Sequence, residues 1–302
     1  MDIVFVILNY NIVTETVDCV RSIIEHIDTD YYHIIVVDNG STAEVCEKLK
    51  SEKLLHDSHV TLLYLEKNLG FAQGNNRGIE QATRLCPKFI CCTNNDTLLL
   101  QKDFYRTLVK KYDETNAAVI APLVILNNNE KQCFNPGIKT IEGYEQELEF
   151  YKRQLESKPA GLKHFIKSIK PIYNAVRQIK SWQYRRTHWC DPMQQREDVL
   201  LHGCCLIFTP VFFSVLTGFH PETFLYREEE LLYFMVKSAH QKTLYCPDLQ
   251  IRHLEDASTN SIVCSQEERR VRYIKNQIDS LTVLISVLKN QQDEVSGKEN
   301  ML

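Results

Sequence analysis

Nowhere in its 302 residues does the chain hold a run of the ~18 apolar residues that a helix needs to cross a bilayer. Its start, Met1-Asp2-Ile3-Val4-Phe5-Val6-Ile7-Leu8-Asn9, has no basic n-region, and its apolar run is too short for a signal sequence. The expectation is a cytoplasmic protein that does not span a membrane. Basic charge is not in excess either. Lys and Arg number 35 against 39 Asp and Glu, a net charge of −4, which argues against nucleic-acid binding driven by bulk electrostatics. None of the 11 cysteines falls in a CxxC pair, and the adjacent pairs Cys91-Cys92 and Cys204-Cys205 lie in apolar runs. That spacing does not suit a zinc site and reads as buried thiols in a reducing compartment. No internal repeat or low-complexity tract is present. What the chain has is 44% hydrophobic residues, enough to bury a sizeable core.

Those residues are arranged as alternating strands and helices. Residues 3–8 and 33–37 are continuous, β-branched apolar runs that suit strands buried on both faces. Between them Val17, Val20, Ile23, Ile24 and Ile27 recur at helical spacing, with Thr14 as a cap. Strands are also predicted over 60–65 and 88–92, with a glycine-punctuated loop, Gly70 to Gly78, leading into a helix. Short connections make this a parallel, doubly wound sheet through about residue 126. Residues 140–198 read as helices with polar faces, 199–209 and 243–254 as strands, 224–239 as a helix opened by acids, and 266–290 as a C-terminal helix.

Ligands in such sheets bind at the carboxyl ends of the strands. Four polar clusters sit there: Asn9 with Asn11, Asp38, the stretch Asn68 to Asn76, and Asn94-Asn95-Asp96. Asp38 can accept a hydrogen bond from a base imide or a ribose hydroxyl, or it can simply cap a helix. In Asn68-Leu69-Gly70-Phe71-Ala72-Gln73-Gly74-Asn75-Asn76-Arg77-Gly78, glycines let backbone approach a ligand closely. Asn75 and Asn76 supply donors and acceptors there, and Arg77 can meet a phosphate. Asp96, a lone carboxylate among neutral oxygens, suits Mg²⁺ or Mn²⁺ shared with a diphosphate; an Asx-turn is the plain alternative. Glu228, Glu229 and Glu230 open a helix, where the macrodipole favours acids, but successive positions point about 100° apart and cannot share one site.

The ordered segments VVDNGST, NLGFAQGNNRG, TNNDT, HGCCLIF, GFHPETFLYREEELL and IRHLEDAST resemble the inverting family 2 glycosyltransferases, and most of all their bacterial rhamnosyltransferase-like branch. The resemblance covers residues 2–260. It implies an α/β fold of GT-A type: a Rossmann-like, mostly parallel sheet flanked by helices, with a helical insertion and a C-terminal helix. It also implies a nucleoside-diphosphate sugar as donor and a saccharide or lipid-linked saccharide as acceptor. Glu229 aligns with the general base, Glu228 lies beside it, and His253 aligns with a histidine that contacts metal or diphosphate; Arg252 and Ser258 are further diphosphate candidates. The family often has two acids in its metal motif, whereas here only Asp96 is acidic.

The expected organisation is a transferase domain over 1–260, followed by a helix and tail over 261–302. The domain divides into a nucleotide-binding half (1–126), a basic helical insertion (140–198) and an acceptor half (199–260). Between Lys163 and Cys190 seven Lys or Arg residues alternate with aromatics and no acid. This stretch is either a solvated helical face or a surface for anionic lipid headgroups on the inner face of the cell membrane. Two rival functions remain: a degenerate member that only binds saccharide or a partner, and a sugar nucleotidyltransferase. The second wants a phosphate loop rich in lysine and glycine, and residues 9–16 contain neither.

Overall fold

A computed structural model describes residues 1–132, 137–156, 191–254 and 265–299, and of Gln266 and 294–299 the backbone alone. The basic aromatic stretch 163–190 and Ser258 lie outside the described residues. In chain order the strands are β1 (Ile3–Asn9), β2 (Tyr32–Asp38), β3 (Val60–Tyr64), β4 (Phe89–Asn94), β5 (Thr97–Leu98), β6 (Val119–Leu126), β7 (Lys131–Gln132), β8 (Arg196–Glu197), β9 (Cys205–Phe208) and β10 (Thr243–His253). The helices used below are α1 (Thr14–His26), α2 (Ala43–Ser51), α3 (Gly70–Thr83), α4 (Phe104–Thr115), α5 (Ile141–Glu156), α6 (Glu228–Ser238) and α7 (Gln266–Glu299).

The strands form one curled sheet in the order β3-β2-β1-β4-β9-β6-β10-β5, with β7 beside β6 and β8 beside β10. Strands β3, β2, β1 and β4 are parallel, as the short βα connections require. The expected parallel sheet does not run unbroken to residue 126, because β9 pairs antiparallel with both β4 and β6 and separates them. Beyond it, β6 and β10 are parallel to each other.

Continuous apolar strands are used on both faces. Ile3, Phe5 and Ile7 pack with Val17, Val20 and Ile23 of α1 and with Phe104 and Leu108 of α4. Val4 and Val6 face the opposite layer, with Ala72, Ile79 and Ala82 of α3 and Leu232 and Val236 of α6. Each fully buried aliphatic side chain contributes roughly 1.5–3 kcal/mol. A third core joins Tyr144 of α5, Leu231 of α6, and Leu281, Leu284, Ile285 and Leu288 of α7. The adjacent cysteine pairs are free and buried, as expected, and Cys91 Sγ lies 3.6 Å from Cys205 Sγ. Among the described residues, no helix is long and apolar enough to cross a membrane.

Candidate active site

In-register pairing sets Asn9 opposite Asp38, and Leu8 opposite Asn94, so the carboxyl ends of β1, β2 and β4 stand level. Their polar residues bond mainly to one another. Asn9 Nδ2 donates to Asp38 Oδ1 at 2.8 Å, while Asn9 Oδ1 accepts from Thr16 Oγ1 at 2.9 Å and from Asn95 Nδ2 at 3.3 Å. Asn95 Nδ2 also donates to Thr16 Oγ1 at 3.0 Å. The Asp38 carboxylate further accepts from the Ser41 hydroxyl, from Ser41 N at 3.2 Å and from Cys46 Sγ at 3.3 Å. Asn9, Asp38 and Asn95 are all buried. The side chains of Asn9 and Asn95, expected as nucleotide contacts, are therefore committed to the floor of the site. Asn11, in a left-handed conformation (φ 57°), ties the first two loops: its N–H donates to Ser41 Oγ and its Oδ1 accepts from Thr42 N. Asn94 lies at the end of β4 with its side chain partly exposed.

The glycine–asparagine stretch departs from expectation most. From Gly70 onward it is helix α3, not a loop. A Cβ on Gly74 would come within 2.7 Å of Leu8 Cδ1, and one on Gly78 within 2.2 Å of Val6 Cγ1, so these glycines let the helix press onto β1. Asn76 is no free ligand: its Nδ2 donates to Phe219 O and its Oδ1 accepts from Phe219 N, both at 2.8 Å. Asn75 Nδ2 bonds back to Phe71 O within the helix, leaving a buried Oδ1 without a partner. Arg77 pairs with Glu80 on the exposed face. Only the start of the stretch behaves as a close-approach loop. Asn39 grips it through Asn68 Oδ1, Gly70 O and Leu69 N. Gly70 has φ +83°, and a Cβ there would lie 2.2 Å from Phe224 O, the atom that accepts from Phe71 N at 2.8 Å. Gly70 thus joins the first half of the chain to the segment just ahead of the acids.

Asp96 and His253, 157 residues apart, are brought together because β5 pairs antiparallel with the end of β10. His253 Nε2 lies 3.2 Å from Asp96 Oδ1, and His253 Nδ1 is buried without a partner. His202, to which no role had been given, lies edge-on to His253 with ring centroids 6.0 Å apart. Its Nδ1 accepts from Cys204 N at 3.3 Å, which leaves the proton of the neutral ring on Nε2. Burial, then the neighbouring His253, lowers the His202 pKa to about 4, so the ring is neutral near pH 7. Beside it a Cβ on Gly203 would lie 2.2 Å from Glu229 Oε1, and the Gly203 N–H donates to that carboxylate. The sequence signal for His202-Gly203 is a polar residue and a glycine inside the apolar run 199–209, just before the buried strand β9.

The three acids at the start of α6 separate, as helix geometry requires. Glu230 pairs with Arg227 at 2.8 Å; Arg227 also reaches Glu147 Oε1 of α5 at 2.6 Å and Gln277 Oε1 of α7 at 3.0 Å. Ser280 Oγ holds Leu225 O at 2.9 Å. Glu228 is buried with Oε1 unpartnered, and burial, followed by the charge of Glu229, raises it to about 8. Glu229 is partly exposed as a residue, but its carboxyl group is enclosed. Burial and then Glu230 raise it to about 7, against the opposing Arg227 and Gly203 N–H. Just ahead of the helix, Tyr226 (φ 78°) and Arg227 (φ 69°) are consecutive left-handed non-glycine residues, a strain of order 1–3 kcal/mol each.

No curated protein matches the sequence. GalNAc-T7, solved with UDP, GalNAc and Mn²⁺, superposes with a TM-score of 0.55 at 13% identity over 91% of this chain and 48% of that one. TarS of S. aureus gives 0.50 at 14% identity over 84% of this chain and 37% of that one. TarS 1-349 with UDP-GlcNAc gives 0.51 at 12% identity over 97% and 73%. The chain spans less than half the length of the first two, and at these identities the likeness establishes the GT-A fold. The model of the family described as glycosyl transferase family 2 matches residues 4–176, more than half of the sequence, and the chain belongs to that family.

Proposed function

We propose that the chain is an inverting glycosyltransferase that moves a sugar from a nucleoside-diphosphate sugar to a hydroxyl of a saccharide acceptor. The observation that carries this reading is the Glu229 carboxylate: enclosed, held near pKa 7, and seated over Gly203, whose neighbour His202 faces the His253 that pairs with Asp96. A general base works best with a pKa near the operating pH. In the reaction, the acceptor oxygen attacks the anomeric carbon and the bond from that carbon to the diphosphate oxygen breaks. The diphosphate leaves with the electron pair, and Glu229 takes the hydroxyl proton. One displacement inverts the anomeric centre. The level strand ends orient donor and acceptor, which turns a bimolecular step into an oriented one.

The donor is a UDP-hexose or dTDP-rhamnose. The fold neighbours' bound UDP and UDP-GlcNAc support a nucleotide sugar. The acceptor is a saccharide, free or lipid-linked, of the kind used to build cell-surface polysaccharide. Asp38 and the loop around Asn68–Gly70 border the nucleotide, and Asn94, partly exposed at the end of β4, meets the donor.

A divalent ion fits the site only as a shared ligand. Among the described residues, no three His, Cys, Asp or Glu groups converge on one point, but Asp96 Oδ1 and His253 Nε2 face each other, and the buried Nδ1 of His253 is unpartnered. One carboxylate and one imidazole suit Mg²⁺ or Mn²⁺ when diphosphate oxygens complete the shell. When bound, such an ion neutralises the charge of the leaving diphosphate.

The competing reading, a saccharide-binding member without turnover, draws on that same two-ligand set. Thermal shift and donor hydrolysis with UDP- and dTDP-sugars, with Mn²⁺ or with EDTA, separate the two. Stabilisation by a nucleotide sugar together with slow release of the nucleoside diphosphate is expected. Stabilisation by saccharide alone, with no donor turned over, contradicts catalysis.

A further inference from the structure

Four aromatic side chains run from the start of α6 across α7 to α5. The Tyr226 and Tyr273 ring centroids lie 5.2 Å apart at 69°, those of Tyr273 and Tyr151 lie 6.1 Å apart at 70°, and those of Tyr151 and Phe150 lie 5.6 Å apart at 70°. The Tyr151 and Tyr273 hydroxyls are 3.2 Å apart. These edge-to-face contacts fix the rings relative to one another. Two of its members stand clear of the core: Tyr273 is 42% exposed and Phe150 is 55% exposed. Tyr151 packs against the apolar core shared by α5, α6 and α7 around Tyr144, Leu281 and Leu284, and Tyr273 and Phe150 carry the row from it toward solvent.

The row ends at the acids. Tyr226 stands two residues before Glu228, and its phenol is raised by burial, then by Tyr273 and the Glu228 charge. Its left-handed backbone is held by Arg227, clamped to Glu147, Glu230 and Gln277, and by the Ser280–Leu225 bond. Strain over-determined in this way is commonly kept where a side chain must be presented. Phe224, 48% exposed, lies against Gly70 through its backbone.

We propose that the Tyr226–Tyr273–Tyr151–Phe150 row is the acceptor subsite, on which the pyranose rings of a neutral oligosaccharide lie so that its terminal hydroxyl reaches Glu229. The proposal rests on the glycosyl-transfer reading and names the surface by which the acceptor enters. Its chemistry fits: a pyranose has apolar C–H faces and a hydroxyl rim, and tyrosines offer apolar faces with hydroxyl tips. Continuity with the proposed base singles out an acceptor over a second copy of the chain.

The test uses the full chain and an array of short neutral oligosaccharides. Wild type should retain at least one of them. Tyr273→Ala and Tyr151→Ala should each weaken that binding up to about tenfold, and Tyr273→Phe should restore most of it. In transfer assays the acceptor KM should rise while the saturated rate, UDP affinity and donor hydrolysis stay unchanged. The retained saccharide should also slow amide exchange around 150–152 and 272–274 in wild type, a readout that needs no variant to fold. Equal binding by wild type and a variant carrying both Tyr151→Ala and Tyr273→Ala overturns the proposal. So does retention of no saccharide, or loss of self-association in that variant with saccharide binding intact. If UDP binds and donor is hydrolysed while saccharides are ignored, only the acceptor subsite fails. If neither nucleotide nor saccharide binds, the glycosyl-transfer reading fails with it.

Discussion

The strand ends and the start of α6 are both polar and largely buried, but they are built in opposite ways. At the ends of β1 and β2 the buried polar groups answer one another: Asn9 alone links Asp38, Thr16 and Asn95. At the start of α6 a buried carboxylate oxygen of Glu228 has no partner, two acids are raised toward neutral pH, and two residues are held in left-handed conformations. A saturated network is rigid and chemically quiet, which suits positioning. An under-satisfied one keeps a base near its working pKa and requires an external clamp, here Arg227.

The contrast can be broken most sharply at Gly203. In Gly203→Ala the new Cβ meets the flexible end of Glu229, so the fold should survive while the carboxylate moves. Displacement on this scale typically lowers turnover about 10²-fold, and a steady-state assay beside a denaturation curve would show it. Unchanged turnover would mean that Glu229 need not sit where it does.

Arg227→Met removes the clamp and leaves Glu147 and Glu230 buried without their partner. Breaking a buried pair in this way costs about 3–5 kcal/mol, less for the partial exposure here, read from urea unfolding near pH 7. Burial pushes the Glu147 carboxyl up, but Lys139 and Arg227 outweigh it and hold it below its ordinary 4.5. That stability is present above pH 4.5 and is lost as pH falls through the depressed value, so the penalty of the variant should shrink in acid.

Asn9→Ala should cost about 1–3 kcal/mol, because Asp38 and Asn95 lose buried partners, and it should weaken nucleotide binding measured by thermal shift. Asn76→Ala should cost about 1–3 kcal/mol in stability, because the N–H and C=O of buried Phe219 lose their partner, but should leave nucleotide affinity intact. A large loss of nucleotide affinity in Asn76→Ala would restore it as a ligand.

Much of the fold was legible in the sequence because buried parallel strands and amphipathic helices carry their periods openly. Thus β1, β2, α1 and the heart of α7 fall where apolar spacing puts them. The antiparallel seam β9 was not legible, since the apolar run 199–209 marks a strand without its direction or neighbours. At the site, residue types identified the polar clusters, but only the packed structure tells a ligand from a strut. Gly74 and Gly78 read like a ligand loop, yet they serve helix-on-sheet contact. Asn76 read like a nucleotide contact, yet both ends of its amide hold Phe219. The meeting of Asp96 with His253, and of Gly203 with Glu229, depends on pairing across the sheet and on tertiary packing, which residue spacing does not carry.

The most direct test of the proposed base is the pH dependence of sugar transfer in wild type, Glu228→Gln and Glu229→Gln, with nucleotide affinity measured alongside. A base acts when deprotonated, so the wild-type rate should rise with pH through about 7, the value for Glu229. Glu228→Gln should keep that limb, whereas Glu229→Gln should lose transfer about 10²–10⁴-fold with nucleotide affinity unchanged. A limb near pH 8 that disappears in Glu228→Gln, with transfer preserved in Glu229→Gln, would contradict the account and move the base to Glu228.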